Sequence, residues 1–235
     1  MKSPLRRQRQ RRKRFYLARE KGLVCMPNQN RRFDADFLAL KSVIDSGKLG
    51  ELVRLESHYD YFRENGWYDH LGTLYNLGVH TVDQVISLFG CPDWTHLDVR
   101  SIHHPGQGDD CYDLEFHYGK LKVSINTSMC VMIDYPRFTL HGTKGSFTLP
   151  PVIHNSGQKK APGRHRVQRE MAPESRWGTL RCQAENGCIK EFPLAAPIMS
   201  GYTTVWQRQS VQEEKKVFRT GRFWKSWGFW SRPRR

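Results

Sequence analysis

Four polar residues in the stretch Leu74 to Gly90, LYNLGVHTVDQVISLFG, stand at a spacing that can support chemistry. Wound as a helix, Asn76, His80, Asp83 and Ser87 fall on one narrow stripe at i, i+4, i+7 and i+11. Leu74, Leu77, Gly78, Val79, Val82, Val85, Ile86, Leu88 and Phe89 cover more than half of the circumference. A helix this apolar is packed on most sides, so its polar stripe faces either water or a cleft. Imidazole and carboxylate at i and i+3 are within reach of each other, which is how a general acid/base is held and tuned. On spacing alone, a plain solvent face is the alternative.

Other groups with chemical potential are weaker. Arg31 and Arg32, in the polar junction Asn28 to Arg32, could hold an anion, since guanidinium groups suit phosphate and carboxylate. His103, His104, Asp109 and Asp110 contain metal-ligand types, but Pro105-Gly106-Gln107-Gly108 separates them as a loop and no ligand spacing is present, so no metal is expected. Gly142-Thr143-Lys144-Gly145-Ser146 mimics a phosphate loop without its spacing or a following helix, and reads as a hairpin turn.

The elements that must position these groups follow from periodicity. Leu17 to Lys21 can close a helix ended by Gly22, and Leu23 to Met26 reads as a short strand stopped by Pro27. Asp34 to Ser46 is a helix capped by Asp34, burying Phe33, Phe37, Leu40 and Ile44 and ended by Gly47. Glu51 to Phe62 alternates as a strand, with Val53, Leu55, Ser57, Tyr59 and Tyr61 on one side. After Pro92 strands are expected near 95–103, 111–118, 120–130, 135–141 and 146–149, with tight turns at Tyr118-Gly119-Lys120 and Gly142 to Gly145. Gly178 to Phe192 reads as a hairpin turning at Glu185-Asn186-Gly187, after a surface loop over Asn155 to Arg176. The sum is an α+β fold: an open, mainly antiparallel sheet with helices on one face.

The formal net charge of +15 belongs to the ends of the 235-residue chain. Residues 1–14 carry eight basic and no acidic residues, and 208–235 carry nine basic residues against Glu213 and Glu214. The body between them is electrically balanced, so nucleic-acid binding is not expected of it. Both basic segments are expected to be disordered. The C-terminal one interleaves Phe218, Phe223, Trp224, Trp227, Phe229 and Trp230 with cations, the ingredients of a nucleic-acid surface, which keeps that reading as an alternative. Cys25, Cys91, Cys111, Cys130, Cys182 and Cys188 form no CxxC pair, which favours reduced thiols in a cytoplasmic protein. No run of 18 apolar residues is present, so no membrane span is expected.

Four stretches taken in order resemble the C-terminal domain of the glucose–fructose oxidoreductase / inositol dehydrogenase (Gfo/Idh/MocA) family. They are Asn30-Arg31-Arg32-Phe33, Ser46-Gly47-Lys48-Leu49-Gly50, Asn76 to Asp83, and His141 to Phe147. The resemblance implies a dihydrodipicolinate-reductase-like C-terminal domain that serves in substrate binding and oligomerisation. It further implies NAD- or NADP-dependent oxidation or reduction of a sugar or polyol hydroxyl. His80 would be the acid/base and Asp83 its neighbour, while Asn76 stands where the family has Asp. A neutral amide binds a hydroxyl but neither takes a proton nor charge-tunes His80. Asn30, Arg31 and Arg32 would meet substrate or cofactor phosphate.

The family's Gly-rich dinucleotide turn and its Glu-Lys-Pro motif are missing from this sequence. The resemblance therefore divides the chain into a basic tail (1–16), the end of a truncated Rossmann domain (17–29), the C-terminal domain (30–205) and a basic aromatic tail (206–235). On this reading the chain does not bind NAD(P) or turn over substrate alone, and it pairs with a second copy through its sheet. A non-catalytic interaction module is the alternative.

Overall fold

The computed structural model describes residues 13, 16–23, 29–63, 71–151 and 177–183, and the backbone of 189–192. The C-terminal basic tail, the N-terminal one apart from residues 13 and 16, the strand expected at Leu23 to Met26 beyond its first residue, the whole 155–176 loop and the Glu185-Asn186-Gly187 turn lie outside the described residues. Residues 16–20 are helical. Gly22, at φ +62°, closes them with a bond from Leu23 N–H to Ala18 O, the termination expected of a left-handed glycine.

A 3-10 turn (Asn30–Phe33) leads into α1 (Ala35–Asp45), then β1 (Leu52–His58). A π-helical turn (Leu74–Gly78) runs directly into α2 (Val79–Phe89). The strands β2 (Trp94–Arg100), β3 (Cys111–Tyr118), β4 (Leu121–Ser128), β5 (Phe138–Gly142), β6 (Gly145–Leu149), β7 (Gly178–Cys182) and β8 (Ile189–Phe192) follow. They form one eight-stranded sheet in the order β2-β3-β4-β1-β5-β6-β7-β8. Each neighbouring pair is antiparallel except β1 and β4, which run parallel. The parallel pair follows from the path: between β1 and β4 the chain crosses through α2 and returns by the β2–β3–β4 meander.

Register turns the period-2 pattern into a core. Phe116, Val123, Leu55, Leu140, Phe147 and Leu180 stand opposite one another across six successive strands. Each is at most 1% exposed. Leu40 and Val43 of α1 and Val82, Val85 and Ile86 of α2 pack in the same cluster. Burial of each such side chain contributes on the order of 1.5–3 kcal/mol. The opposite face of the sheet is polar and carries ion pairs: Arg100 with Asp98 and Asp113, Lys122 with Glu115, and Arg54 with Glu56.

Several boundaries differ from expectation for local reasons. Asp34 occupies the N-cap of α1 without capping through its side chain, because its carboxylate is held by Arg31 at 3.0 Å. β2 stops at Arg100 rather than 103. The backbone N–H groups of Ile102 and His103 turn to the Asp110 carboxylate, at 2.7 and 2.8 Å. β1 stops at His58, although Tyr59 and Tyr61 still bond to the backbone of residues 126 and 128. The central helix is not one uniform α-helix from Leu74, since its first turn is π-helical. Asn76 is therefore out of the strict i, i+4 phase with His80.

Arg137, just before β5, is 1% exposed and ties the layers together. Its Nε donates to Asp36 of α1 at 2.9 Å and its Nη1 to Ser57 Oγ at 2.8 Å and His58 O at 3.0 Å on β1. Its Nη2 donates to Gln84 Oε1 of α2 at 3.1 Å. The guanidinium also lies over the rings of Phe138 and Tyr59, at 4.0 and 5.0 Å. Removing one partner of such a pair leaves the rest buried and unpaired. Arg137→Met is expected to cost about 3–5 kcal/mol of stability, read as a lower urea midpoint. A loss under ~1 kcal/mol would show that the brace carries little.

Candidate functional site

The polar stripe of α2 faces another piece of the same chain. Residues 29–32 cross it, and three side chains of α2 grip them in succession. His80 Nδ1 meets Gln29 Oε1 at 2.8 Å. Asp83 takes Arg32 in a bidentate pair, Nε to Oδ2 at 2.6 Å and Nη2 to Oδ1 at 2.7 Å. Gln84 Nε2 donates to the backbone oxygen of Arg31 at 2.8 Å. A 3-10 turn suits this docking. It presents the Arg31 and Arg32 side chains from adjacent positions while its backbone closes on itself through Arg32 N–H to Gln29 O.

His80 is the chemically open member of this set. An amide oxygen only accepts, so the ring hydrogen sits on Nδ1 and Nε2 keeps its lone pair. Among the described residues nothing hydrogen-bonds to Nε2. The ring is half-buried. Burial lowers its pKa from 6.5, the nearby Arg31 charge lowers it further, and Asp83 opposes both. The imidazole is therefore neutral near pH 7, the form that accepts a proton.

Asp83 is the helix neighbour of His80, yet both of its oxygens are turned to Arg32 and its side chain is 2% exposed. Its influence on His80 is through-space charge. A planar guanidinium fork matches a carboxylate better than one ring N–H does, and that preference decides the pairing. Asn76 donates Nδ2 to Gly72 O at 2.8 Å, so part of its amide secures the turn that begins the helix. Asn30 opens the 3-10 turn half-buried. Arg31 pairs with Asp34 and lies over the Tyr59 ring at 5.0 Å. Burial holds the phenols of Tyr59 and Tyr61 above their ordinary range, so both stay protonated donors beside this group.

The structure thus gathers His80, Asp83, Arg31 and Arg32 at one junction and sets Asn76 at the helix start. It adds three groups that the sequence reading passed over: Gln29, Gln84 and Arg137. The signal for Arg137 was an arginine at the head of a strand whose inward positions are Phe138 and Leu140. Gln29 carried none beyond its place in a polar junction.

The start of the helix is equally constrained. Asp109 accepts Thr73 Oγ1 at 2.7 Å and Leu74 N–H at 2.8 Å through one oxygen. Gly72, at φ +72°, lies against Asp109 so closely that a Cβ would stand 2.6 Å from its backbone nitrogen. One turn on, a Cβ at Gly78 would stand 3.3 Å from the Tyr112 hydroxyl. Tyr112 is fully buried, which pushes its phenol up to about 12. Thr127 Oγ1 donates to that hydroxyl at 2.9 Å. His103 and Asp110 belong to a separate loop. Among the described residues no group of three or more His, Cys, Asp or Glu is disposed to hold a metal ion.

Residues 37–148 match the model of the GFO/IDH/MocA C-terminal domain. YhhX, an uncharacterized oxidoreductase of Escherichia coli, is 50% identical over 137 residues, which are 57% of this chain and 40% of that protein. The Bacillus subtilis protein named scyllo-inositol 2-dehydrogenase (NADP(+)) IolW is 33% identical over 137 residues, 55% of this chain and 38% of that protein. A crystal structure of the probable oxidoreductase yhhX superposes with a TM-score of 0.72 at 35% identity, over 92% of this chain and 64% of that one. The chain spans about two fifths of the length of these curated relatives.

The two charges facing His80 make its titration a test of the geometry. Because the folded pKa lies below 6.5, protonation favours the unfolded chain, and this group removes stability as pH falls below that value. Arg31→Gln is expected to raise the His80 pKa and Asp83→Asn to lower it further, read from the ring proton shifts by NMR. Shifts in the same direction in both variants would contradict the arrangement.

Proposed function

We propose that this chain, which carries the C-terminal domain of the Gfo/Idh/MocA family, supplies the substrate side of an oxidoreductase acting on a sugar or polyol hydroxyl. The observation that carries the reading is the neutral His80, with Nδ1 tied to Gln29 and Nε2 left open by the described residues. In this role Nε2 takes the hydroxyl proton as the carbon is oxidised, or returns it in reduction. Gln29 fixes the tautomer, and burial together with the Arg31 charge keeps the ring from holding a proton permanently. Asn76, from its place at the helix start, binds hydroxyl as a neutral amide. IolW, whose name carries both an inositol and NADP(+), supports the substrate class.

The described residues do not fit a whole dinucleotide. The charge of Arg32 is balanced by Asp83 and that of Arg31 by Asp34, and no glycine-rich turn opens a helix for pyrophosphate. NAD or NADP is then held by groups other than these, and the chain by itself is proposed not to turn over. The unpaired thiols Cys91, Cys111 and Cys130 accord with a reducing, cytoplasmic setting. No described helix is long and apolar enough to cross a membrane.

Titrating scyllo-inositol and other polyols into the labelled chain at millimolar concentration is expected to shift the His80 ring resonances, with saturation lost in His80→Ala. Absence of any polyol- or sugar-dependent shift at His80 would overturn the reading.

Self-association through the outer face of the sheet is part of the same proposal. That face carries charges of both signs, so the interface is expected to be polar and to weaken with salt. Light scattering at micromolar concentration should give a dimer or larger species at low salt. A monomer there would contradict it.

A further inference from the structure

The loop between β2 and β3 holds a second set of reactive side chains, separate from the junction at His80. Its anchor is Asp110, whose side chain is 3% exposed. The carboxylate accepts the backbone N–H groups of Ile102 and His103 at 2.7 and 2.8 Å, and the His103 Nδ1–H at 2.7 Å. Burial opposes its ionisation, but these donors outweigh it and hold the carboxyl below the usual range. With Nδ1 committed to Asp110, His103 turns the lone pair of Nε2 outward. Cys130 Sγ lies 4.0 Å from that nitrogen. The thiol is at the surface, and its backbone is fixed by a bond from Cys130 N–H to Ser128 Oγ at 3.1 Å and by a bridge to Phe62.

Thiol, imidazole and buried carboxylate stand in the order that activates a nucleophile. The base stands 4.0 Å from the sulfur, and the acid fixes the tautomer of the base. Two other described thiols, Cys111 and Cys91, differ. Cys111 is buried, and burial pushes its thiol up. Cys91 is exposed, but among the described residues no histidine hydrogen-bonds to its sulfur. Phe62, the bridge partner of Cys130, is about half exposed.

We propose that Cys130, His103 and Asp110 form a thiol-modification site that takes small disulfides. The Cys130 thiol gives its proton to His103 Nε2, and the sulfur attacks one sulfur of the incoming disulfide. A new S–S bond joins Cys130 to half of the disulfide as the original S–S bond breaks. The departing thiolate takes the proton back from the imidazolium and leaves as a thiol. Cys130 is oxidised, the leaving half is reduced, and the disulfide is the only oxidant.

The test exposes the full chain to oxidised glutathione at pH 7 and follows the mixed disulfide at each cysteine by peptide mass spectrometry. Cys130 is expected to react about tenfold or more faster than Cys91. His103→Gln should bring Cys130 down to the Cys91 rate, and Asp110→Asn should lower it by a smaller factor, with the Cys91 rate unchanged in both. Equal rates at Cys130 and Cys91 in the native chain, or an unaltered Cys130 rate in a folded His103→Gln variant, would overturn the proposal. A gain of reaction at buried Cys111 would report unfolding of a variant, and the native-chain ratio of Cys130 to Cys91 then decides.

Discussion

A buried arginine has to be neutralised and hydrogen-bonded, and the way Arg137 meets that demand organises this domain. Its donors reach Asp36 on α1, Ser57 and His58 on β1 and Gln84 on α2, so one guanidinium couples both helices to the middle of the sheet. Gln84 carries the constraint onward. Its oxygen accepts Arg137 while its nitrogen holds the Arg31 carbonyl. The junction that presents Gln29, Arg31 and Arg32 to α2 is thereby referenced to the core. A polar network of this kind is stable only when every member is satisfied, which makes its geometry specific.

The same economy governs the approach to His80. Asp109 fixes the first turn from the β2–β3 loop, and Gly78 lets the helix settle onto Tyr112. The π-helical turn between them accommodates one mismatch of phase before α2 begins. Such turns shift side chains around the helix axis, which is why Asn76 serves the turn at Gly72 while His80 and Asp83 address the junction.

Much of this was readable from residue patterns. Alternation over Leu121 to Met129 marked an inward face, and Leu121, Val123, Ile125, Thr127 and Met129 are all buried. The paired apolar faces of α1 and α2 marked the layer above the sheet. Val53 departs, at 45% exposed, because a register irregularity interrupts the β1–β5 pairing between Leu52 and Arg54. Partners distant in sequence were the harder part. Arg32 with Asp83, and Arg137 with Asp36, are separated by 51 and 101 positions, and no local period encodes them. The i, i+3 spacing of His80 and Asp83 suggested a dyad. A guanidinium fork from elsewhere in the chain outcompeted the imidazole for the carboxylate, and the histidine found an amide instead.

The account centres on a histidine whose Nδ1 carries the hydrogen while Nε2 stays open. Long-range nitrogen–proton NMR correlations of the His80 ring at pH 7 read that tautomer directly. A protonated Nδ1 with an unprotonated Nε2, switching toward the opposite tautomer or a mixture in Gln29→Leu, is the predicted result. A ring protonated on Nε2 alone, or on both nitrogens, in the native chain would contradict it.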